Sequence, residues 1–168
     1  MIFCWEIPFQ RFSLLGVTML KHDLPIYFSV IRHYSNGAHF ETFMIDEVLP
    51  RLSRGDTVVV DNQNYHVMGK WKVVIAIWPH EQTNKGKHAE RIVTEYANNG
   101  ISYLRLPTYS PELNPIELVW GYLKSQLAKV PIHESLIHAV FRILRTISKS
   151  MMVNWYQKCG YLKPFWTK

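Results

Sequence analysis

The sequence predicts an α/β domain in which a mixed sheet is flanked by helices. Residues 11–20 and 25–33 are rich in β-branched and aromatic side chains and are separated by a short polar stretch, which indicates two adjacent antiparallel strands. Strand-like and helix-like segments then alternate along the chain. Hairpin and crossover connections in one chain are typical of a mixed sheet with helices on its faces.

The residue pattern in the middle of the chain predicts a helix followed by a strand. Apolar residues recur at helical spacing from His39 to Leu52, and Gly55 follows them, so we expect a helix of about four turns. Residues 57–61 contain three consecutive valines and end in Asp61. A continuously apolar run of this length is typical of a short, buried inner strand.

The second half of the chain continues the alternation. Helical spacing and stop signals predict a helix over residues 87–98 that ends at Gly100, a strand over 101–106, and helices over 115–128 and about 133–148. With 168 residues, 48% of them hydrophobic and 14% aromatic, the chain can bury one packed core. We therefore expect a single domain over residues 1–168.

Composition also narrows the class of protein. The two cysteines, Cys4 and Cys159, have no metal-ligand spacing and are too few for a disulfide framework, which favours a reducing compartment and argues against zinc. No apolar segment approaches the roughly 20 residues that cross a bilayer. The first residues lack the pattern of a signal peptide. These features predict a soluble, intracellular protein without a membrane partner.

The net charge of +6 is unevenly distributed. From Lys124 to the end the chain has eight basic residues and one acidic residue, whereas the preceding 123 residues carry a net charge of −1. A basic C-terminal third suits a polyanion such as nucleic acid. A solvated helix face is the alternative explanation for the same charges.

One carboxylate stands at a predicted helix start. In the run Asn114-Pro115-Ile116-Glu117, asparagine is a favourable N-cap, proline suits the first helical position, and Glu117 falls at the third. The same run is also an ordinary capping box, in which Glu117 accepts the Asn114 amide hydrogen. The sequence leaves both roles of Glu117 open.

A second carboxylate, Asp61, ends the predicted valine-rich strand and is followed by Asn62 and His66. Carboxylate oxygens are the ligands that Mg²⁺ prefers, and two such ions can together promote in-line cleavage of a phosphodiester. Asp61 and Glu117 therefore suit two parts of a metal-dependent phosphoryl-transfer site. The alternatives are a simple turn after the strand for Asp61-Asn62 and a surface-loop histidine for His66.

Two segments together resemble a known family. Residues 58–66, VVVDNQNYH, and residues 106–124, LPTYSPELNPIELVWGYLK, are similar to the second and third acidic motifs of the DDE transposases of the Tc/mariner superfamily. Weaker similarity runs from about Arg11 to Tyr161. The resemblance implies a ribonuclease H-like mixed sheet flanked by helices. It also implies that Asp61 and Glu117 are catalytic and bind Mg²⁺ or Mn²⁺.

The resemblance further implies partners and a location. The substrate would be DNA, both transposon ends and target, and a homodimer is expected because such enzymes act on paired DNA ends. The protein would be nuclear if its source is eukaryotic. Six residues would support the metal ligands or contact DNA, and they are Asn62, His66, Tyr109, Ser110, Asn114 and Lys124. For Lys124 a solvent-facing lysine is the alternative.

The opening of the family's pattern has no counterpart in the sequence. In the family, the first strand carries the first catalytic aspartate, and no acidic residue before Asp61 has a matching context. We therefore expect an N-terminally truncated, partial catalytic domain with negligible activity by itself. The alternatives are a non-catalytic DNA-binding or assembly relic of a transposase, and a ribonuclease H-like nuclease of another kind.

The spacing of the two acids predicts an inserted segment. Asp61 and Glu117 are 56 positions apart, more than is usual in the family. The dipeptide Gly-Lys occurs at residues 69–70 and again at 86–87, and removal of one such unit would shorten the chain by 17 residues. Residues 69–86 are thus either a retained intron or a genuine insertion that forms an extra edge strand or hairpin.

Overall fold

The computed structural model of the protein describes residues 2–4, 12–21, 23, 25–32, 35–60, 72–74, 85–107, 109–131 and 134–162. In this part of the chain there are small sheets and five α-helices, which confirms the predicted mixed α/β class. The chain divides into two units. We call Met1–Gly16 with Phe28–Ser110 the sheet unit, and Val17–Tyr27 with Pro111–Lys168 the helical unit.

Three strands come first. Strand β1 covers Ile2–Cys4, β2 covers Phe12–Thr18 and β3 covers Ile26–Arg32. β2 and β3 pair with each other, and the Met19 amide donates to the Pro25 carbonyl oxygen at 2.9 Å beside the connection. A connection this short cannot make a parallel crossover, so the pair is antiparallel, as predicted.

The predicted four-turn helix is present, but its hydrogen bonding changes along its length. Helix α1 covers Gly37–Thr42, a π-helical turn covers Phe43–Val48, and a 3₁₀ turn covers Leu49–Arg51. The Leu49 amide donates to the carbonyl of Met44, five residues back. Pro50 has no amide hydrogen with which to continue a regular α-helix, which accounts for the change at this end.

A parallel strand pair follows. Strand β4 covers Thr57–Val60, helix α2 covers Lys85–Asn98 and strand β6 covers Ser102–Arg105; between β4 and α2 lies strand β5, Lys72–Val74. β4 and β6 run parallel with Val60 opposite Arg105. A parallel pair needs a long crossover, and α2 provides it.

The prediction that β4 is buried on both faces is wrong. Val58 and Val60 are 7% and 6% exposed, whereas Val59 is 39% exposed. The residue opposite Val59 on β6 is Leu104, which is 56% exposed. Side chains alternate across a strand, so one face of the β4–β6 pair packs into the core and the other is open.

Helix α2 is held in the sheet unit by a buried tyrosine. Its inner face consists of Ala89, Ile92 and Tyr96, which are at most 5% exposed. The Tyr96 hydroxyl donates to the Met44 carbonyl oxygen at 2.8 Å, inside the π-helical turn. Burial raises the pKa of Tyr96, and likewise that of Tyr103 on β6.

Part of the predicted insertion is described. β5 pairs antiparallel with β1, with Val74 opposite Ile2 and Lys72 opposite Cys4. An extra edge strand was one form of the predicted insertion over residues 69–86, of which residues 69–71 and 75–84 lie outside the described part. The insertion itself, and its origin as an intron, stay predictions.

The helical unit contains three α-helices. α3 covers Pro115–Leu127, α4 covers Leu136–Leu144 and α5 covers Lys149–Lys158. The helix predicted over about 133–148 is present but shorter, because α4 stops at Leu144, and α5 was not predicted. Polar side chains end it: the Thr146 hydroxyl donates to the Ile143 carbonyl, and the Ser148 hydroxyl accepts from the Met151 amide as the N-cap of α5.

Gly100 ends α2 as predicted, and its conformation gives a stability test. Its φ is +69°, its amide donates to Ala97 O, and the Ile101 amide donates to Tyr96 O, which is a Schellman motif. We expect Gly100→Ala to lower the free energy of unfolding by about 1–2 kcal/mol, because a Cβ is strained at this φ. Urea denaturation followed by circular dichroism measures the change.

Gly121 provides the control, because it lies inside α3 and a Cβ there would meet no atom within 4 Å. Gly121→Ala should raise the free energy of unfolding by about 0.8–1 kcal/mol through helix propensity. Equal effects of the two substitutions would contradict the assignment of Gly100 as a left-handed helix end.

Candidate active site

The carboxyl ends of β4 and β6 define one edge of the parallel pair. The last paired residues that the structure describes are Val60 and Arg105. The amide of Leu106, the next residue along the chain, donates to the Val60 carbonyl oxygen at 2.8 Å, so the two strands are hydrogen-bonded up to this edge. The next residue after Val60 is Asp61. Asp61, Asn62 and His66 lie outside the described residues, so their roles stay predictions.

After β6 the chain enters a proline-rich turn. Tyr109 has a φ of +59° and is 60% exposed, and Ser110 is half-buried. A 3₁₀ turn then covers Pro111–Leu113 and leads directly to α3. The turn belongs to the segment in which the sequence predicted DNA contacts or support for the metal ligands.

The start of α3 agrees with the sequence in position and differs in one bond. Asn114 is the N-cap, Pro115 is the first helical residue and Glu117 is the third, as predicted. Among the described residues, however, the Asn114 side chain makes no capping bond. Its backbone amide donates to the Pro111 carbonyl oxygen at 3.0 Å. In a capping box the Glu117 carboxylate would accept the hydrogen of the Asn114 amide. Here the 3₁₀ turn provides the acceptor for that amide instead.

Glu117 and Lys124 interact along α3. Glu117 is half-buried and lies two turns before Lys124, on the same side of the helix. Partial burial lowers the pKa of the Lys124 ammonium group, and the negative charge of Glu117 acts in the opposite direction. The two predicted site residues of this helix therefore share one face and influence each other electrostatically.

The buried side chains of α3 fix the orientation of the helix face that carries Glu117 and Lys124. Ile116, Val119, Trp120 and Leu123 form the inner side of the helix and are at most 7% exposed. With these side chains anchored in the core, α3 cannot rotate without exposing them. The Glu117 carboxylate is consequently held at the border between core and solvent.

The basic residues of the C-terminal third lie at the surface. All six from Lys124 to Lys158 are exposed, and they are Lys124, Lys129, Arg142, Arg145, Lys149 and Lys158. Arg142 forms a two-point ion pair with Glu134, in which Nη2 lies 2.9 Å from each carboxylate oxygen. The carboxylate of Glu134 thereby offsets the charge of Arg142, and the other five also contribute positive charge to the surface of the helical unit.

A side-chain cluster around one buried glutamate in the sheet unit was not predicted from the sequence. Glu41 of α1 is 9% exposed, its Oε1 accepts from Arg91 at 2.7 Å, and its Oε2 contacts His88 Nδ1. His88 and Arg91 are one turn apart on α2, and this spacing is the sequence signal that was available. The cluster joins α1 to the helix that connects β4 with β6.

Within the described ranges, no group of three or more His, Cys, Asp or Glu side chains is arranged to hold a metal ion. Glu117 is an oxygen donor, is half-buried and lies in the first turn of α3, where the helix dipole interacts favourably with a negative charge. Asp61, the other predicted ligand, lies outside those ranges.

Residues 9–137 match the family model described as DDE superfamily endonuclease. The chain belongs to this family. The matched region contains both acidic motifs predicted from the sequence, and it extends into α4. The prediction of a DDE endonuclease is therefore confirmed at the level of the superfamily. Comparisons with curated proteins and with solved structures gave no match.

Membership of the DDE superfamily supports a transposase-like nuclease function and implies a DNA substrate. Divalent metal ions are typical cofactors of these endonucleases. Among the helices that the structure describes, none is both long and apolar enough to span a membrane.

The Glu41 cluster gives a prediction for the sheet unit of this endonuclease. Glu41→Ala removes the buried acceptor of two side chains and should lower the free energy of unfolding by about 1–3 kcal/mol, the usual cost of losing hydrogen bonds to charged groups. Thermal or urea unfolding measures it. The matched control is Glu90→Ala, an exposed carboxylate on α2 that should change stability by about 0.5 kcal/mol or less. Similar losses in both variants would contradict a structural role for the cluster.

Proposed function

We propose that this DDE superfamily endonuclease is the catalytic domain of a Tc/mariner-type transposase with a ribonuclease H-like fold, acting in DNA transposition and integration. The observation that carries the proposal is the family match across both acidic motifs. The parallel β4–β6 pair supports it, because β4 ends at the residue before Asp61. The rigid start of α3, which carries Glu117, supports it as well.

In the proposed site, Asp61 and Glu117 are the catalytic carboxylates and would hold Mg²⁺ or Mn²⁺ together. Bound divalent ions would supply an activated water or hydroxyl and stabilise the leaving oxygen of the phosphodiester. Glu117 contributes a charged oxygen from a helix start that the 3₁₀ turn keeps in place. Lys124, on the same side of α3, contacts a DNA phosphate, and Asn62 and His66 orient the carboxylates or the DNA.

The family pattern calls for three carboxylates, and the two proposed here account for its second and third. With two of them, metal binding is weak and the chain alone cleaves DNA slowly or not at all. We further propose that the protein acts as a homodimer on transposon ends and target DNA. The proposed location of the protein is inside the cell, in the nucleus if the source is eukaryotic.

A second candidate function is supported by the surface of the helical unit. Six exposed basic residues lie from Lys124 to Lys158, and one of them, Arg142, is paired with Glu134. Phosphate contacts of this kind give affinity for DNA without any chemistry. A non-catalytic DNA-binding or assembly protein, derived from a transposase, would keep this surface and lose the metal site.

Metal binding is the direct test of the proposed site. In Mn²⁺ titrations followed by calorimetry, Asp61→Asn and Glu117→Gln should each weaken binding about 10-fold or more, because each removes a ligand charge. Circular dichroism should show unchanged folding. Glu112→Gln, at an exposed carboxylate on the 3₁₀ turn, is the matched control and should bind like the unaltered protein.

Nicking of supercoiled plasmid in Mn²⁺ separates the two functions. Little nicking is expected from the chain alone, and any that occurs should disappear in Asp61→Asn and Glu117→Gln. If the unaltered protein binds Mn²⁺ no better than Asp61→Asn and Glu117→Gln do, yet still binds DNA, the catalytic proposal is wrong and the DNA-binding role replaces it.

A further inference from the structure

Tyr109 combines two features that core packing does not explain. Among the described residues it is the one non-glycine residue with a positive φ, +59°. This conformation is unfavourable for a bulky side chain, and such residues tend to occur at functional positions. The side chain is nevertheless 60% exposed, so burial of its apolar surface does little to offset the unfavourable backbone conformation.

The position of Tyr109 in the chain keeps it close to the end of β6. Leu106, three residues before it, is 7% exposed and bonds to Val60 at the carboxyl edge of the β4–β6 pair. Three residues span at most about 11 Å, so Tyr109 stays near this edge. Pro107 and Pro111 lie on either side in the chain and restrict the backbone further.

The same edge carries a positive charge. Arg105 is the last residue of β6, lies opposite Val60, and is exposed. An exposed ring and an exposed guanidinium on one short segment suit the two parts of a nucleotide, since aromatic rings stack on bases and arginine binds phosphate. A purely electrostatic contact with the DNA backbone would not need the ring.

We propose that Tyr109 stacks on an unpaired base of the DNA substrate beside the cleavage site, with Arg105 contacting the adjacent phosphate. This inference rests on the proposed function for the nature of the substrate, but not on the chemistry of cleavage. Stacking on this tyrosine would hold one strand away from its complement at the edge where the chain leaves β4. Tyr109 would thus be a positioning residue for DNA.

The probe is a DNA duplex with a single-stranded 3′ overhang that contains 2-aminopurine, mixed with the full chain in the absence of divalent metal. Stacking quenches the fluorescence of this base, and anisotropy gives the dissociation constant. Tyr109→Ala should abolish the quenching and weaken binding of the overhang about 5- to 150-fold, the usual effect of losing one aromatic stack. Tyr109→Phe, which keeps the ring, should retain both, and affinity for the blunt duplex should not change in either variant.

Three further variants control for misfolding, for the choice of tyrosine and for the phosphate contact. Tyr109→Gly suits the positive φ, so its unfolding midpoint in urea should not fall, while its quenching should be lost. Tyr161→Ala removes an exposed tyrosine of the helical unit, 41% exposed, and should leave quenching intact. Arg105→Gln should weaken binding and reduce its salt dependence without abolishing the quenching.

Equal quenching by the unaltered protein and Tyr109→Ala would overturn the proposal, as would a Tyr109→Phe variant that behaves like alanine or a protein that does not bind DNA. The outcomes are distinguishable from failure of the proposed catalysis. If quenching depends on Tyr109 but Mn²⁺ binding does not depend on Asp61 and Glu117, only the catalytic site is wrong. If Mn²⁺ binding depends on both carboxylates but quenching is the same with and without the Tyr109 side chain, only the stacking role is wrong.

Discussion

Parallel pairing between β4 and β6 is the constraint on which the rest of the sheet unit depends. Because the strands run in the same direction, both of their carboxyl ends lie at one edge. The hydrogen bond from the Leu106 amide to the Val60 carbonyl oxygen is the last one that the structure describes between the two segments at that edge. That edge is where the chain leaves β4 for Asp61 and leaves β6 for the proline-rich turn. A slip of one residue would turn Val58 and Val60 outward and move every group beyond them.

Several interactions outside the strands keep this register. α2 must span the crossover with a fixed length, and Gly100 ends it with a left-handed turn that only glycine adopts without strain. At the same point the Gly55 amide donates to the Gly100 carbonyl oxygen, which joins the approach to β4 to the approach to β6. Glu41 then ties α1 to α2 through His88 and Arg91. The edge is thus supported by parts of the chain that are distant in sequence.

Local signals made much of this architecture predictable. Gly100 and Pro115 mark a helix end and a helix start through the conformations that they favour, and both positions are as expected. Three successive valines carry no alternation, so the sequence did not reveal that Val59 faces outward. The break before α5 depends on hydroxyl groups that compete for backbone hydrogen bonds within an otherwise helical pattern. Asn114 was correct as a cap position, but the bond through Pro111 required knowledge of the turn before it.

The buried phenol of Tyr96 has a consequence for behaviour in alkali. In the folded chain its hydroxyl is held by Met44 and its pKa is raised by burial, whereas an unfolded tyrosine ionises near pH 10. The native contribution of this group is fully present below that pH and is lost as the solution becomes more basic. Phenolate absorbance from Tyr96 would therefore emerge with the opening of the sheet unit rather than with the titration of exposed tyrosines, and would provide an intrinsic optical signal of its collapse.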